Sequence, residues 1–228
     1  MRTHGSPPRA ASDLVRPGRR IGRTKGRVQR PRGIRTRHTI LRKAVDIASI
    51  EGLEGLTIGK LASVLRISKS GLFAHFGSKE DLQLAVVEEA RQIFVERVVR
   101  PAFQLQGLKR LRALSENWTA YGEEGVFPGG CFFSAASLEF DDRPGPVREQ
   151  ILGLMKQWVG TLEQAASDAQ KAGEITKSAD VRQLVFEIQA LAMGANWRSR
   201  LFRDPNAFRS ARAAILRRID EIKMTKAR

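Results

Sequence analysis

A short run of small and basic residues, Ser68-Lys69-Ser70-Gly71, has the composition of an anion-binding helix end. Serine is a preferred helix N-cap, and the first turn of a helix offers free backbone N–H groups to a negatively charged partner. The small side chains would let the helix approach a surface closely, and Lys69 can reach a phosphate or a guanine edge. We therefore interpret this run as the part of the chain that contacts DNA bases.

Two short helices would have to position this run. Thr57 is a good N-cap for the first, and the turn to the second falls at Arg66 and Ile67. The inward face of the first helix would consist of Ile58, Leu61, Ala62 and Leu65. Leu72 and Phe76 would anchor the second helix in the core. Two short helices joined this way form a helix-turn-helix, although similar spacing also occurs in interaction modules.

Residue identity makes the pattern more specific than its spacing alone. The chain reads Ile58-(x)2-Leu61-Ala62-(x)2-Leu65-(x)-Ile67-Ser68-Lys69-Ser70-Gly71-Leu72-Phe73-(x)-His75-Phe76-(x)-Ser78-Lys79-Glu80-(x)-Leu82. This run resembles the DNA-binding signature of the tetracycline-repressor (TetR) family nearly position by position. The resemblance is close from about residue 34 to 82 and otherwise rests on helix count, length and order. It implies a sequence-specific transcriptional regulator, by family habit a repressor.

The resemblance also implies roles for single residues around the helix-turn-helix. Thr57 matches a threonine that bonds a phosphate, Phe73 and His75 match residues that face the DNA backbone, and Lys79 matches a lysine near a phosphate. Each role has a simpler alternative, because Thr57 could be only a cap, Phe73 only core and Lys79 only solvated.

Two positions depart from the family pattern. Phe73 stands where the family usually has tyrosine, so a phosphate bond from the hydroxyl is lost. Arg66 stands where the turn usually has glycine, which adopts a left-handed conformation without the steric cost that a Cβ brings. We predict that Arg66 accepts this strain, or a slightly different turn, and projects its guanidinium toward DNA.

The charge of the chain also favours a polyanionic partner. The formal net charge is +16 and the isoelectric point is near 11.1, values that draw a protein toward nucleic acid first and an anionic membrane surface second. Residues 1 to 33 alone carry ten Lys or Arg against one acid, Asp13. This proline- and glycine-containing segment is expected to be a disordered basic arm, either a DNA-contacting arm or a solubilising tail, unless the start codon lies further downstream. A charge-driven, non-specific nucleic-acid-binding protein is the alternative function.

Apolar spacing predicts an all-α fold of about nine helices. A helix from Ile34 should end at Gly52 and Gly55, and the two short helices should be followed by a long one from Lys79 to about Val99, before Pro101. Later helices are expected at 106–122, 131–139, 147–172, 180–202 and 206–222. We assign 34–80 to the DNA-binding domain and 81–228 to a helical effector-binding and dimerisation domain. No apolar run is long enough to span a bilayer, and with a single cysteine and no signal-peptide pattern the protein is expected in the cytoplasm.

A single helix-turn-helix reads few base pairs, so we expect a homodimer on an inverted-repeat operator. The last two helices are the candidates for its interface. One carries an apolar stripe of Val181, Leu184, Val185, Ile188, Leu191 and Ala195. The other carries Phe208, Ala211, Ile215, Leu216 and Ile219. The family builds an intersubunit four-helix bundle from the equivalent pair; the alternative is that both stripes form the core of one chain.

Aromatic side chains concentrate between the two ends of the chain. The family resemblance implies a small-molecule effector pocket here, and the residues we assign to it are Trp118, Tyr121, Phe133, Met155 and Trp158. Such a cluster could equally be hydrophobic core. If it is a pocket, its ligand should be largely apolar, and binding should favour a conformation that releases DNA. Cys131, at a predicted helix start, is either a redox sensor or a buried, inert thiol.

Catalytic chemistry has little support in the sequence. Its three histidines, His4, His38 and His75, pair neither with one another nor with Cys131 at metal-ligand spacing. No phosphate-binding glycine loop or nucleophile elbow is present. We therefore expect no enzymatic activity, metal or cofactor.

Overall fold

The computed structural model describes residue 14 and residues 31 to 224. Its α-helices are α1 (Pro31–Glu51), α2 (Ile58–Leu65), α3 (Lys69–Phe73), α4 (Lys79–Phe94), α5 (Gly107–Glu123), α6 (Phe132–Glu139), α7 (Pro146–Lys171), α8 (Val181–Leu201) and α9 (Ala207–Glu221). Within these ranges the only β pairing is an isolated bridge between Ile175 and Lys223. The all-α prediction is confirmed, and no described helix is long and apolar enough to cross a membrane.

The predicted helix boundaries hold to within a few residues. The first helix begins at Pro31 rather than Ile34, so residues 31–33 are helical rather than part of a disordered arm. The rest of the predicted basic arm lies outside the described residues, apart from Leu14, which is buried.

The described chain forms two compact units. The N-terminal unit contains residues 31–93 and 127–153, and the C-terminal unit contains residues 94–126 and 154–224. Both α4 and α7 therefore contribute residues to each unit. The functional division at residue 80 stays a prediction.

In the N-terminal unit, the segment after α1 is fixed by contacts to residues distant in the sequence. The backbone N–H groups of Leu53 and Glu54 donate to the Glu139 carboxylate at 2.7 and 2.9 Å. Gly52 has φ +84°, and a Cβ there would lie 2.7 Å from Glu139 Oε1. The N–H of Gly129 donates to Ser49 Oγ at 2.9 Å, and a Cβ on Gly129 would overlap the Ser49 carbonyl. Residues 129 and 139 thus hold the end of α1 and the loop that leads to α2.

The long fourth helix does not continue unchanged to Pro101. After Phe94 it widens into a π-helical segment, Val95–Val99, and ends in a 3-10 turn, Arg100–Ala102. Buried pairs recur here every four residues, at Phe94/Val95 and Val98/Val99. A spacing of four residues drifts around a regular helix of 3.6 residues per turn, and a wider turn keeps these pairs on one face.

In the C-terminal unit, α5, α8 and α9 pack together. Phe208 of α9 lies against Gly122 of α5, and Arg212 bridges the same two helices by donating to Thr119 Oγ1 at 3.0 Å and to the Glu123 carboxylate. The Arg218 guanidinium of α9 pairs with Glu187 of α8. These contacts run along the full length of α9.

The two apolar stripes predicted for a dimer interface lie mainly in this intramolecular core. The buried members are Leu184, Val185, Ile188, Ala195, Phe208, Ala211, Ile215 and Ile219. Their assignment to a subunit interface was wrong, because α8 and α9 use these faces to pack within one chain. A different face of α8 remains exposed.

Candidate nucleic-acid interface

The first short helix begins as its sequence predicts. Thr57 is the N-cap of α2, with extended backbone, and its hydroxyl accepts the N–H of Lys60 at 3.1 Å. Ile58, Leu61 and Ala62 are buried, which fixes the helix in the core of the N-terminal unit. The capping role of Thr57 is confirmed, and its bond to a phosphate stays a prediction.

The turn after α2 has the left-handed residue that the sequence predicted. Arg66 has φ 54° and ψ 41°, and the N–H of Ile67 donates to the Ala62 carbonyl at 3.1 Å. This six-residue closure is a Schellman-type helix end, in which glycine is the usual left-handed residue. The Arg66 side chain is exposed, so the strained backbone holds a solvent-facing guanidinium at the corner of the helix-turn-helix.

The N-terminal end of α3 is exposed and tightly capped. Ser68 Oγ accepts the N–H of Gly71 at 3.0 Å and lies 3.2 Å from Ser70 Oγ. A Cβ on Gly71 would crowd Ser68 Oγ at 3.1 Å. Lys69 runs along α2, where a Cβ on Gly59 would contact its Cε at 3.5 Å. The run Ser68–Gly71 therefore presents small polar groups and one ammonium at a helix N-terminus.

The C-terminal side of this helix separates core from surface. Leu72 and Phe76 are buried, as predicted, and the Arg37 guanidinium stacks over the Phe76 ring at 4.9 Å. Phe73 is 50% exposed, so the alternative that it belongs to the core is wrong. His75 is half-buried beside Phe76, with their ring centroids 6.1 Å apart.

Lys79 has a carboxylate partner, so it is more than a solvated lysine. Its Nζ lies 2.5 Å from Glu54 Oε1, and Gln83 Nε2 donates both to Glu54 Oε2 at 3.1 Å and to the Leu53 carbonyl at 3.0 Å. The hydrogen bond from Lys79, with that from Gln83, lowers the pKa of Glu54. A phosphate near Lys79 would have to share this ammonium with Glu54.

Sequence reasoning missed Glu54, Gln83 and Glu139. Glu54 lies in a glycine-flanked loop and has no helical periodicity. Glu139 acts on a loop 85 and 86 residues earlier in the chain. Gln83 is buried on α4. The one sequence signal for it is a polar residue on the apolar face of an amphipathic helix.

The residues assigned to an effector pocket do not form one group. Trp118, Tyr121 and Trp158 are buried in the C-terminal unit, where the two tryptophan rings meet edge to face at 5.2 Å. Met155 is half-buried in the same unit, and Phe133 belongs to the N-terminal unit. Phe94 joins the cluster by edge-to-face contacts with Tyr121 and Trp158.

A surface cavity of about 380 Å³ lies elsewhere, in the N-terminal unit. Half of its lining residues are charged, namely Glu54, Glu80, Asp142, Arg143 and Arg148, which is unlike the apolar pocket that the sequence predicted. Cys131 precedes α6 and is 4% exposed, a burial that restricts access of an oxidant. No cluster of His, Cys, Asp and Glu among residues 37–224 is arranged to hold a metal ion.

Comparison with known proteins gives one consistent result. The family model described as "Bacterial regulatory proteins, tetR family" matches residues 40–86, and that described as "Tetracyclin repressor-like, C-terminal domain" matches residues 107–215. The HTH-type transcriptional repressor DhaR of a Mycobacterium species is 22% identical over 167 residues, which are 73% of this chain and 81% of DhaR.

Solved structures share the fold. A TetR transcriptional regulator from Chloroflexus aurantiacus superposes with a TM-score of 0.79 at 23% identity, covering 86% of this chain and all of that one. AibR, solved in complex with isovaleryl coenzyme A and operator DNA, superposes with a TM-score of 0.65 at 22% identity, covering 82% of this chain and 98% of AibR.

Proposed function

The chain belongs to the TetR family of DNA-binding transcriptional regulators, and from this premise we propose that it is a repressor that a small effector releases from an inverted-repeat operator. Members of this family are regulators, so the protein is not an enzyme. The observation that carries the proposal is the helix-turn-helix itself: α2, a left-handed turn at Arg66 and an exposed α3 N-terminus anchored by Leu72 and Phe76. Repression is supported by the relative DhaR, a transcriptional repressor.

In the proposed complex, base contacts come from the exposed run Ser68–Gly71. The hydroxyl of Ser68 accepts the N–H of Gly71 as the helix cap, whereas Lys69 and Ser70 remain at the surface to reach base edges. Phosphate contacts come from Thr57, Arg66, His75 and Lys79. Phe73, half exposed beside them, packs its ring on the DNA backbone without the hydroxyl bond of a tyrosine.

Selection of bound sequences from a random DNA pool tests this function. An enriched inverted repeat, with half-sites about one helical turn or about 34 Å apart, is the expected result. Lys69→Ala should change the sequence preference within each half-site. Lys171→Ala removes another exposed lysine, at the end of α7, and is the matched control, with no expected effect. A pool without any enriched motif would contradict sequence-specific regulation.

Charge-driven binding to any nucleic acid is the alternative, and the net charge of +16 favours it. Non-specific binding consists almost entirely of phosphate contacts, so it weakens steeply as salt is raised. A specific complex retains a preference for its own site over random DNA at each salt concentration. Titration of the selected site and a scrambled site across a salt series separates the two functions.

We further propose that the homodimer forms through an exposed face of α8. Apolar residues recur there at helical spacing while other faces of the helix pack within the chain; the exposed face consists of Phe186, Ala190, Gly194, Trp197 and Leu201. A Cβ on Gly194 would meet no atom within 4 Å, so this position leaves room for a second helix. Large exposed apolar patches of this kind mark protein interfaces.

Light scattering of size-fractionated protein tests the interface. The parent protein should have the molar mass of a dimer. Trp197→Glu should have the molar mass of a monomer, because its carboxylate would be buried without a partner in the dimer. Leu138→Glu places the same charge on another exposed apolar residue and should leave the dimer intact. A dimeric Trp197→Glu variant would place the interface elsewhere.

Effector binding is proposed for the C-terminal unit. The support is its buried aromatic cluster, in which Phe94, Trp118, Tyr121 and Trp158 meet edge to face. Such side chains bury large apolar areas and give shape to ligand sites. An effector would release DNA by favouring a conformation in which the two recognition helices no longer match the operator.

A further inference from the structure

A buried arginine in the C-terminal unit has two guanidinium nitrogens without a hydrogen-bond acceptor among the described residues. Arg110 of α5 is 2% exposed. Its Nε and Nη2 find no acceptor within the described part of the chain. A buried guanidinium is costly unless it is paired and hydrogen-bonded. The position therefore calls for an acceptor that residues 31–224 do not provide.

One opposite charge acts on Arg110 without accepting a hydrogen bond from its two unpaired nitrogens. Burial lowers the pKa of the Arg110 guanidinium, and the Asp168 carboxylate on α7 acts in the opposite direction. Asp168 Oδ1 accepts a hydrogen bond from Gln164 at 2.7 Å and none from the two unpaired nitrogens of Arg110. The α5 N-terminus nearby is already occupied, because the Glu174 carboxylate accepts the N–H of Leu108 at 2.7 Å.

The two helices that carry these groups are antiparallel, and their contacts define a register. At one end Asp168 is near enough to Arg110 to act electrostatically on its guanidinium, and at the other end Trp118 contacts Trp158. Eight residues separate Arg110 from Trp118, a distance of about 12 Å along a helix. The residues between them on the two helices are buried and largely apolar: Leu111, Leu114, Leu162 and Ala165.

We propose that the C-terminal unit binds an amphipathic monocarboxylate, with the carboxylate on Arg110 and an apolar body extending toward Trp118 and Trp158. The inference rests on the proposed effector function and names the chemistry of the effector. A guanidinium matches a carboxylate by two parallel N–H···O bonds. The indole N–H of Trp158 also lacks an acceptor among the described residues, and an oxygen on the body of the ligand would accept it.

The charge balance favours a monoanion. Arg110 contributes one positive charge, and Asp168 already offsets part of it. A dianionic phosphate would leave excess negative charge in a buried site, which is unfavourable. A neutral ligand could offer a carbonyl oxygen, but its hydrogen bonds to the guanidinium would lack the charge that makes a carboxylate the stronger acceptor.

Thermal unfolding with matched probes tests the proposal. Octanoate and decanoate should raise the melting temperature of the intact protein, whereas octanamide and decanamide should not. Arg110→Met should weaken decanoate binding by about tenfold or more, the effect of losing a charged hydrogen-bonded contact. Arg112→Met is the control: Arg112 lies on the same helix but pairs with Asp220 at the surface, and this variant should keep the acid response.

Any one of three binding results would overturn the site. They are equal stabilisation by acids and amides, an undiminished acid response in Arg110→Met, and a decyl phosphate that binds as well as decanoate. Without ligand, Arg110→Met should be at least as stable as the parent, since an unsatisfied buried charge is removed; a marked loss would make Arg110 a structural partner of Asp168 instead. If Arg110→Met does not fold, Arg110→Lys should bind decanoate more weakly, because an ammonium lacks the guanidinium fork.

Release from DNA is measured separately on the selected operator. Acid binding that leaves operator affinity unchanged would support the carboxylate site and contradict effector release. A neutral compound that releases the operator from both the parent and Arg110→Met would support release and overturn the carboxylate site.

Discussion

Arg66 in its left-handed turn allows stability and DNA binding to be separated in one substitution, Arg66→Gly. A residue with a Cβ at φ 54° carries a strain of about 1 to 2 kcal/mol. Replacing Arg66 by glycine removes this strain, but glycine loses more backbone freedom on folding, which offsets about half of the stabilisation, or about 0.5 to 1 kcal/mol. The variant should therefore be more stable by about 0.5 to 1 kcal/mol, a rise of roughly 1 to 4 °C in melting temperature for a chain of this size.

Operator binding should change in the opposite direction. If each Arg66 guanidinium contacts one phosphate per half-site, its loss makes the log–log slope of affinity against salt less steep by about 0.9 per contact, or about 1.8 per dimer. Fluorescence anisotropy with the selected operator across a salt series measures this slope. The change should be the same for a scrambled site, because phosphate contacts carry no sequence information.

Two controls separate strain from charge. Arg203, in the loop between α8 and α9, also has a left-handed backbone, with φ 55°. Arg203→Gly should give a similar rise in stability with the salt slope unchanged. Arg66→Asn removes the charge and keeps a residue that tolerates this conformation, so it should lose affinity without the full gain in stability. An unchanged slope in Arg66→Gly would refute the DNA contact, and a loss of stability would refute the strain.

Three further substitutions test contacts within the N-terminal unit. Glu139→Gln should lower the free energy of unfolding by about 1 to 3 kcal/mol in denaturant titrations, because a charged acceptor of two backbone N–H groups is lost. Gly129→Ala should cost about 1 to 3 kcal/mol or more by the same measurement, since its Cβ overlaps the Ser49 carbonyl. Glu54→Gln should reduce the loss of stability at acid pH: the folded pKa of Glu54 is lowered, so its carboxylate stabilises the fold above the ordinary pKa and this is lost as pH falls through the lowered value.

Each of these has a matched control. Glu116→Gln changes an exposed glutamate on α5 and should have little effect on stability. Gly153→Ala lies inside α7 with no atom within 4 Å of the new Cβ, so it should stabilise the helix by up to about 1 kcal/mol. Glu80→Gln alters an exposed acid on α4 and should leave the loss of stability at acid pH as it is in the parent. If the control of a pair shows the effect expected of its partner, in the same direction and of the same size, the contact assigned to that partner is wrong.

Local chemistry was readable from the sequence, and long-range partners were not. The caps at Thr57 and Ser68 depend on a few neighbouring residues, so the sequence pattern was sufficient to predict them. The left-handed Arg66 was predicted from the family resemblance, because the family usually has glycine at that turn. The hydrogen bonds between the Glu139 carboxylate and the loop after α1 join groups more than 80 residues apart in the chain. Nothing in the sequence around Glu139 indicates these bonds.

Periodicity identified apolar faces but not what covers them. The stripe of α8 that includes Leu184 and Ile188 was predicted correctly as apolar, yet it packs on α9 of the same chain rather than on a second copy. The fourth helix was expected to end before Pro101. It instead becomes π-helical from Val95, because the wider turn of a π-helix suits buried pairs that are four residues apart. Phe73 was ambiguous between core and surface because an aromatic residue fits either.

The exposed face of α8, centred on Trp197, also has a consequence for how copies of the protein influence one another. If this face joins two chains, a chain that keeps α8 and α9 but lacks α2 and α3 could still pair with an intact one. Such a mixed dimer would present one recognition helix instead of two. A fragment of this kind, supplied in excess, would withdraw intact subunits from the operator by mass action, and a truncated gene copy would be dominant over the complete one.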